Sequence, residues 1–90
     1  MVYYFPEKDP NEVLDYQIDW TNKLNSNEHI HGSLFTIDNA TIDSSSFTNK
    51  STTLWISGGI EGTTANILNR ITTSQNRIMD QTVLLPIRSK

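Results

Sequence analysis

Apolar and polar side chains alternate between residues 13 and 20, where the sequence reads VLDYQIDW. Leu14, Tyr16, Ile18 and Trp20 occupy every second position, and acidic or amide side chains stand between them. A period of two predicts a β-strand that buries one row of side chains and exposes the other. We therefore expect a first well-defined strand over residues 12–20, with Trp20 anchoring the core.

Similar short patterns predict further strands along the rest of the chain. The longest alternation places Ala65, Ile67, Asn69 and Ile71 on one face of a strand. Short polar connections favour antiparallel pairing between successive strands. With the apolar run at 2–5, the chain has about seven short strands, a number typical of an antiparallel, immunoglobulin-like β-sandwich. The other expected strands cover residues 29–37, 41–47, 52–57, 63–73 and 79–88.

Turn-forming residues separate these segments. Gly32 interrupts the second strand, so we expect a β-bulge there. The glycines of the 58–62 segment allow positive φ in a tight connection. Asn76 is a candidate for the left-handed conformation. Pro86 lacks a backbone donor, so its position should face a sheet edge or point outward.

The first ten residues look separate from the rest of the chain. They begin with a short apolar run, which Pro6 and Pro10 then interrupt. Residues before proline favour extended conformations, so we predict an extended arm over residues 1–10 and a single β-sandwich domain over residues 11–90. An ordinary first strand folded onto its own domain is the alternative. The apolar residues of the arm are Val2, Tyr3, Tyr4 and Phe5.

Size and composition narrow the function classes. Ninety residues make one domain with a thin core. Cysteine is absent, which excludes disulfides and thiol chemistry in this chain. The net charge of −3 argues against a nucleic-acid or anionic-membrane surface. The sequence contains neither a long apolar segment nor a basic, apolar leader, so we expect no membrane span and no secretion signal.

Candidate chemical sites are weak. His29 and His31 are spaced to chelate a metal with Glu28 or Asp38, but a surface pair on a strand is the preferred interpretation. The glycines at 58–62 precede a β-prone segment rather than the helix that a phosphate loop needs. We find no nucleophile with a positioned base. We therefore predict a non-enzyme with no catalytic residues, no metal and no cofactor.

Three large apolar side chains fall on the strand faces opposite the expected core. These are Trp55, Leu68 and Leu84. If their strands are neighbours, the three side chains form an exposed apolar patch, and such patches often mark interfaces. The alternative is that they belong to the ordinary core. With the arm residues, they are the candidate interface residues of this chain.

Short motifs in a fixed order carry a family resemblance. They are Lys8-Asp9-Pro10, the 13–20 strand, LWISGG at 54–59, GTT at 62–64 and NRITTS at 69–74. In this order and spacing they resemble the small tailed-bacteriophage virion proteins known as fiber-tail adaptor proteins. The resemblance extends from about Lys8 to Arg88. Two positions depart from it, because the family commonly has an aromatic residue where Ala65 stands and a glycine where Asn76 stands.

The resemblance implies a structural role in the virion. It suggests an adaptor that attaches fibers to the tail or neck, present in several copies, in contact with other phage structural proteins, and assembled in the host cytoplasm. The first alternative is a capsid cement or decoration protein, which needs the same kind of sandwich and interface. A carbohydrate-binding module that stacks Trp55 on sugar rings ranks lower. A nucleic-acid-mimicking inhibitor ranks lowest, because the charge density is low.

Overall fold

The alternating segments form seven strands in two packed sheets in the computed structural model, which describes residues 3–90. One sheet has the order β1–β7–β6–β3 and the other β2–β5–β4. Immunoglobulin sandwiches likewise divide seven strands into sheets of four and three, although here the first strand pairs with the last strand rather than with the second. The predicted β-sandwich fold is confirmed. The strands are β1 (Tyr3–Tyr4), β2 (Leu14–Asp19), β3 (Ile30–Ile37), β4 (Thr41–Phe47), β5 (Ser51–Ser57), β6 (Thr64–Thr73) and β7 (Ile78–Pro86). A 3₁₀ turn, Thr21–Lys23, follows β2.

Strands β2 to β7 pair in the expected antiparallel manner, whereas β1 pairs with β7 in parallel. Tyr3 lies opposite Val83, and Tyr4 lies opposite Leu84. The expectation of antiparallel pairing rested on short connections between successive strands. That constraint does not apply to β1 and β7, because they are the first and last strands and the whole domain lies between them.

The core lies between the sheets and is built from the inward rows that alternation predicts. Trp20 is 1% exposed and packs with Ile30 and Ile71 at one end, which confirms its predicted anchoring role. The larger cluster fills the rest of the space between the sheets. Its members are Tyr16, Phe35, Leu54, Ile56, Ala65, Ile67, Leu85 and Ile87.

A buried amide connects the two sheets through side-chain hydrogen bonds. The Asn69 Oδ1 accepts hydrogen bonds from Trp20 Nε1 at 3.0 Å and from the Thr52 hydroxyl at 2.7 Å. Its Nδ2 donates to Ser33 Oγ at 2.9 Å and to the Leu34 carbonyl at 3.1 Å. Trp20 and Thr52 belong to the three-stranded side, whereas Asn69 and its acceptors belong to the four-stranded sheet. Asn69 therefore fixes the position of one sheet relative to the other.

Turn residues adopt the conformations that the sequence predicts. The pairing of β3 with β6 shifts register between Ile30 and Gly32, which is the expected bulge. Asn76 has a φ of 60°. Gly59 has a φ of 118°, and a Cβ there would lie 3.0 Å from the Ile87 side chain, so this position requires glycine. The Pro86 carbonyl accepts a hydrogen bond from the Lys8 N–H, so its ring nitrogen points away from β6 and toward the segment of residues 3–8, where no donor to the β6–β7 pairing is lost.

Two charged side chains are buried at opposite ends of the sandwich. Lys8 donates from Nζ to the carbonyls of Asp9 and Gly58, and burial lowers the pKa of its amine. Glu28 accepts hydrogen bonds from the Thr73 hydroxyl, from the Asn25 N–H at 2.9 Å and from Arg77 Nη1 at 2.8 Å. Glu28 thus fastens its loop to the end of β6, and Lys8 joins the segment before β2 to the connection that follows β5.

Replacement of Asn69 by alanine tests the connection between the sheets. Asn69→Ala removes the acceptor of the Thr52 hydroxyl, leaves Trp20 Nε1 with only its longer contact of 3.4 Å to Thr52 Oγ1, and opens a cavity. We therefore expect the free energy of unfolding to fall by about 2–4 kcal/mol. Urea unfolding followed by tryptophan fluorescence measures the change. The control Asn66→Ala alters an exposed residue of the same strand and should change stability by no more than about 0.5 kcal/mol. Equal stability of the two variants would contradict the role assigned to Asn69.

The Glu28 contacts predict a specific loss of stability in acid. The Thr73 hydroxyl and the Asn25 N–H, helped by Arg77, hold the pKa of Glu28 below its usual value. A lowered folded-state pKa contributes stability above the unfolded pKa, about 4.3, and this contribution is lost as the pH falls through the folded-state pKa.

We therefore expect Glu28→Gln to be less stable than the native chain at neutral pH, with the difference shrinking below about pH 4. Chemical unfolding of both proteins across this pH range measures the gap. Glu7→Gln, at an exposed position, serves as the control and should follow the native pH profile. A gap that stays constant down to the lowest pH would show that ionisation of Glu28 does not stabilise the fold.

Candidate interaction surface

The outer face of the four-stranded sheet carries four large apolar side chains, which we call the leucine face: Tyr4, Leu34, Leu68 and Leu84. Leu84 lies in register between Tyr4 and Asn66, and Leu68 lies between neighbouring threonines of β3 and β7. Leu68 and Leu84 are half-buried, whereas Tyr4 is 64% exposed and Leu34 is 59% exposed. Leu68 and Leu84, which the sequence predicted to face outward, therefore point away from the core. Leu34 and Tyr4 extend the surface across all four strands of the sheet.

A shallow groove runs across this face beside Leu68. Its volume is about 350 Å³, and Thr36, Asn66 and Thr82 line it together with Leu68. Hydroxyl, amide and methyl groups thus border one another along the groove, and Asp38 also belongs to its lining. Such a mixed surface can bury apolar area against a protein partner while keeping hydrogen-bonding groups at its rim.

Charged groups on this side of the molecule are held by hydrogen bonds. Arg70 binds Asp80 through two bonds, Nε to Oδ1 at 2.8 Å and Nη2 to Oδ2 at 2.9 Å, and this contact lowers the pKa of Asp80. Asp38 accepts a hydrogen bond from the Asn66 N–H at 2.7 Å, which lowers the pKa of Asp38. The central part of the leucine face is uncharged, and the ion pair borders it on one side.

Trp55 lies on the other side of the molecule, on the outer face of the three-stranded sheet. It is 43% exposed and lies in register between Asp15 and Ser44. It points away from the core, as expected, but the single patch anticipated with Leu68 and Leu84 does not form. The reason is that β5 pairs with β2 and β4, whereas β6 and β7 belong to the opposite sheet.

The predicted arm lies against its own domain from Tyr3 onward. Tyr3 and Tyr4 pair with β7, and the Phe5 ring stacks on Tyr16 with 4.6 Å between ring centres. Lys23 Nζ lies 5.6 Å from the centre of the Tyr3 ring. The structure therefore shows the alternative considered for this segment, a first strand folded onto its own sheet. Val2, also a candidate interface residue, lies outside the described residues.

The histidine pair lies at the start of β3. The His29 and His31 rings are 4.9 Å apart and meet edge to face. Glu28, which with Asp38 was one of two conceivable third ligands, instead accepts hydrogen bonds from Thr73, Asn25 and Arg77. Within residues 3–90, no three or more His, Cys, Asp or Glu side chains are grouped so that they could hold a metal ion. Among the same residues, no helix is long and apolar enough to cross a membrane.

Sequence reasoning missed Leu34 and Ile78 as members of the outer surface, and it assigned the candidate interface residue Tyr4 to an arm rather than to the sheet. Leu34 was hidden by the bulge at Gly32, which changes the face of the strand along its length. Ile78 is 68% exposed at the first position of β7, just before the predicted start of that strand. Val83 belongs to the inward row of β7. Ile78 lies an odd number of positions before it, so strict alternation would have placed Ile78 on the outer face.

Comparison with known proteins identifies the family. A search of curated proteins finds no match to the chain. The family model described as podophage GP4 fiber-tail adaptor protein gp77 matches residues 8–86. This match covers most of the chain, from the buried Lys8 to the last residue of β7. The chain therefore belongs to this podophage family of fiber-tail adaptor proteins.

Proposed function

We propose that this chain is a non-catalytic virion protein that attaches fibers to the tail or neck of the phage. The observation that carries the proposal is the family match, which spans strands β2 to β7. An adaptor must contact at least two other bodies, and a two-layer sandwich offers two outer sheet faces for this purpose. Its partners are other structural proteins of the particle, and it is present there in several copies after assembly in the host cytoplasm.

The leucine face is the contact surface that we assign to this role. Leu68 and Leu84 lie near its centre, flanked by polar groups, and protein interfaces share this arrangement of an apolar centre and a polar rim. Trp55 offers a second, separate contact on the opposite sheet. The three-stranded face around it is mostly polar, so it buries less apolar area than the leucine face.

The position of the protein on the particle tests the proposal directly. We expect antibody-gold label on intact particles to be confined to the tail or neck. Label spread over the head would instead support the cement or decoration role, and absence of label would remove the structural assignment. In that last case, the native protein and Trp55→Ala would be compared on a glycan array. Glycan binding by the native protein that is lost in Trp55→Ala would favour a carbohydrate-binding module.

A charge introduced into the leucine face tests which surface makes the contact. Leu68→Asp would bring a carboxylate into the interface, where it loses water without gaining a partner. We expect incorporation into particles to fall by about tenfold or more, since central interface residues contribute about 2 kcal/mol each. Quantitative mass spectrometry of purified particles measures the copy number.

The control Asn22→Asp adds the same charge to an exposed position of the 3₁₀ turn, which belongs to neither sheet. It should leave incorporation near the native level. Thermal unfolding of both variants establishes that each is folded before particles are compared. Equal incorporation of the two variants would contradict the assignment of the leucine face as the contact surface.

A further inference from the structure

The segment before β2 forms the outer edge of the four-stranded sheet. The Phe5 N–H donates to the Leu84 carbonyl at 2.9 Å, and the Lys8 N–H donates to the Pro86 carbonyl at 3.0 Å. The Arg88 N–H returns a bond to the Lys8 carbonyl at 2.9 Å. Residues 3–8 therefore cover the β7 edge, which would otherwise be open for pairing with another chain.

The two halves of this segment are held very differently. Lys8 is fully buried and fixed by hydrogen bonds from its side chain and its backbone. Tyr3 and Tyr4 form a strand of two residues, and they are 41% and 64% exposed. Pro6 and Glu7, between the two halves, are exposed. The segment thus has a fixed end at Lys8 and a weakly attached end at Tyr3.

Open space lies beside the weakly attached end. A cleft of about 310 Å³ separates it from β2 and is lined by Tyr3, Phe5, Ile18, Lys23 and Val83, among others. Because the cleft is open, the tyrosines lack the dense packing that surrounds core residues. The Phe5 ring stacks on the core residue Tyr16, and the Tyr16 hydroxyl donates a hydrogen bond to the Pro6 carbonyl at 3.3 Å. Release of residues 3–5 would therefore uncover Phe5 and one face of the Tyr16 ring, while the contacts among the other core residues would remain.

We propose that residues 3–5 exchange between copies of this chain, so that the strand of one copy pairs with the β7 edge of the next. The partner strand that we assign to the β7 edge is residues 3–5 of a second copy, because this edge already pairs with the same residues within one molecule. The contacts of Phe5 with Tyr16 and Leu84 that are lost within one copy are regained in its neighbour, which makes strand exchange a low-cost route to association. Pro6, with its fixed φ, keeps the connecting residues extended.

The length of the connection limits how the copies can be arranged. Two residues, Pro6 and Glu7, separate Phe5 from the anchor at Lys8, so the three Cα–Cα steps between them span at most about 10 Å. The β7 edges of two exchanging copies must therefore lie side by side, with Trp55 on the sheet away from the contact. This inference deepens the proposed function, on which it rests for the presence of several copies in one particle.

An engineered disulfide distinguishes exchange from the closed form. Tyr4 and Leu84 are register partners on adjacent strands, which lie about 4.8 Å apart, within the range that a disulfide spans. Native cysteine is absent, so the full-length double variant Tyr4→Cys, Leu84→Cys can form one designed bond. That bond is intramolecular in the closed form and intermolecular in the exchanged form.

The purified double variant is incubated at increasing concentrations, oxidised, and separated on a non-reducing denaturing gel. Exchange predicts covalent dimers or longer species whose share rises with concentration until they are the main product. The control pair Asn66→Cys, Leu84→Cys joins β6 to β7 and should stay monomeric. Products that are monomeric at every concentration for both pairs would overturn the proposal.

A second measurement tests the exchange without cysteine variants, in case these variants do not fold. Analytical ultracentrifugation of the native full chain should show association that a chain lacking residues 2–5 has lost, and association that survives the deletion would overturn the exchange. Both assays use purified protein, whereas the adaptor role is judged on particles. If the purified chain exchanges strands but no label is found on the tail, only the adaptor role is contradicted. If the tail is labelled but the cysteine pair forms only intramolecular disulfides, only the exchange is contradicted.

Discussion

The position of the two sheets relative to each other depends on one buried amide. In a thin sandwich, apolar contacts alone allow the sheets to slide, because hydrophobic burial has no direction. The hydrogen bonds of Asn69 to Trp20 and Thr52 are directional, and they join the three-stranded side to the four-stranded sheet. Asn69 lies in the inward row of β6, so alternation along the strand places its neighbour Leu68 on the outer face. The buried amide and the leucine face are thus on opposite faces of the same sheet.

Alternation predicted the strands well because it reports which face of a strand is buried. The limits of β4 agree with the prediction, and those of β6 differ by one residue. The order of strands in a sheet is a different property, since it depends on contacts between distant segments. This is why Trp55 and Leu68 were correctly placed on outward faces and yet incorrectly grouped into one patch. The parallel pairing of β1 with β7 escaped prediction for the same reason.

Buried polar groups mark the limit of what a local pattern reveals. Alternation placed Asn69 in the inward row but gave no indication of its partners, which lie 17 to 49 residues away in the sequence. Lys8 was part of a family motif, although its burial depends on the Gly58 carbonyl, 50 residues away. Glu28 was considered as a metal ligand, whereas its partners Thr73 and Arg77 come from the far end of β6 and the following turn. Such burial is tolerated only where every charge and amide is paired, and only the fold supplies those pairs.

Two properties make this small sandwich suitable as a connector. Its leucine face and its exposed tryptophan lie on opposite sheets, so partners on the two sides need not compete. Its β7 edge is covered by a strand of two residues, anchored at Lys8 behind an exposed Pro6. A face contact and an edge contact depend on different physical terms, since one buries apolar side chains and the other pairs backbone groups. A chain that combines them can join unlike neighbours through its faces and like neighbours through its edge, without any change in the core that Asn69 holds together.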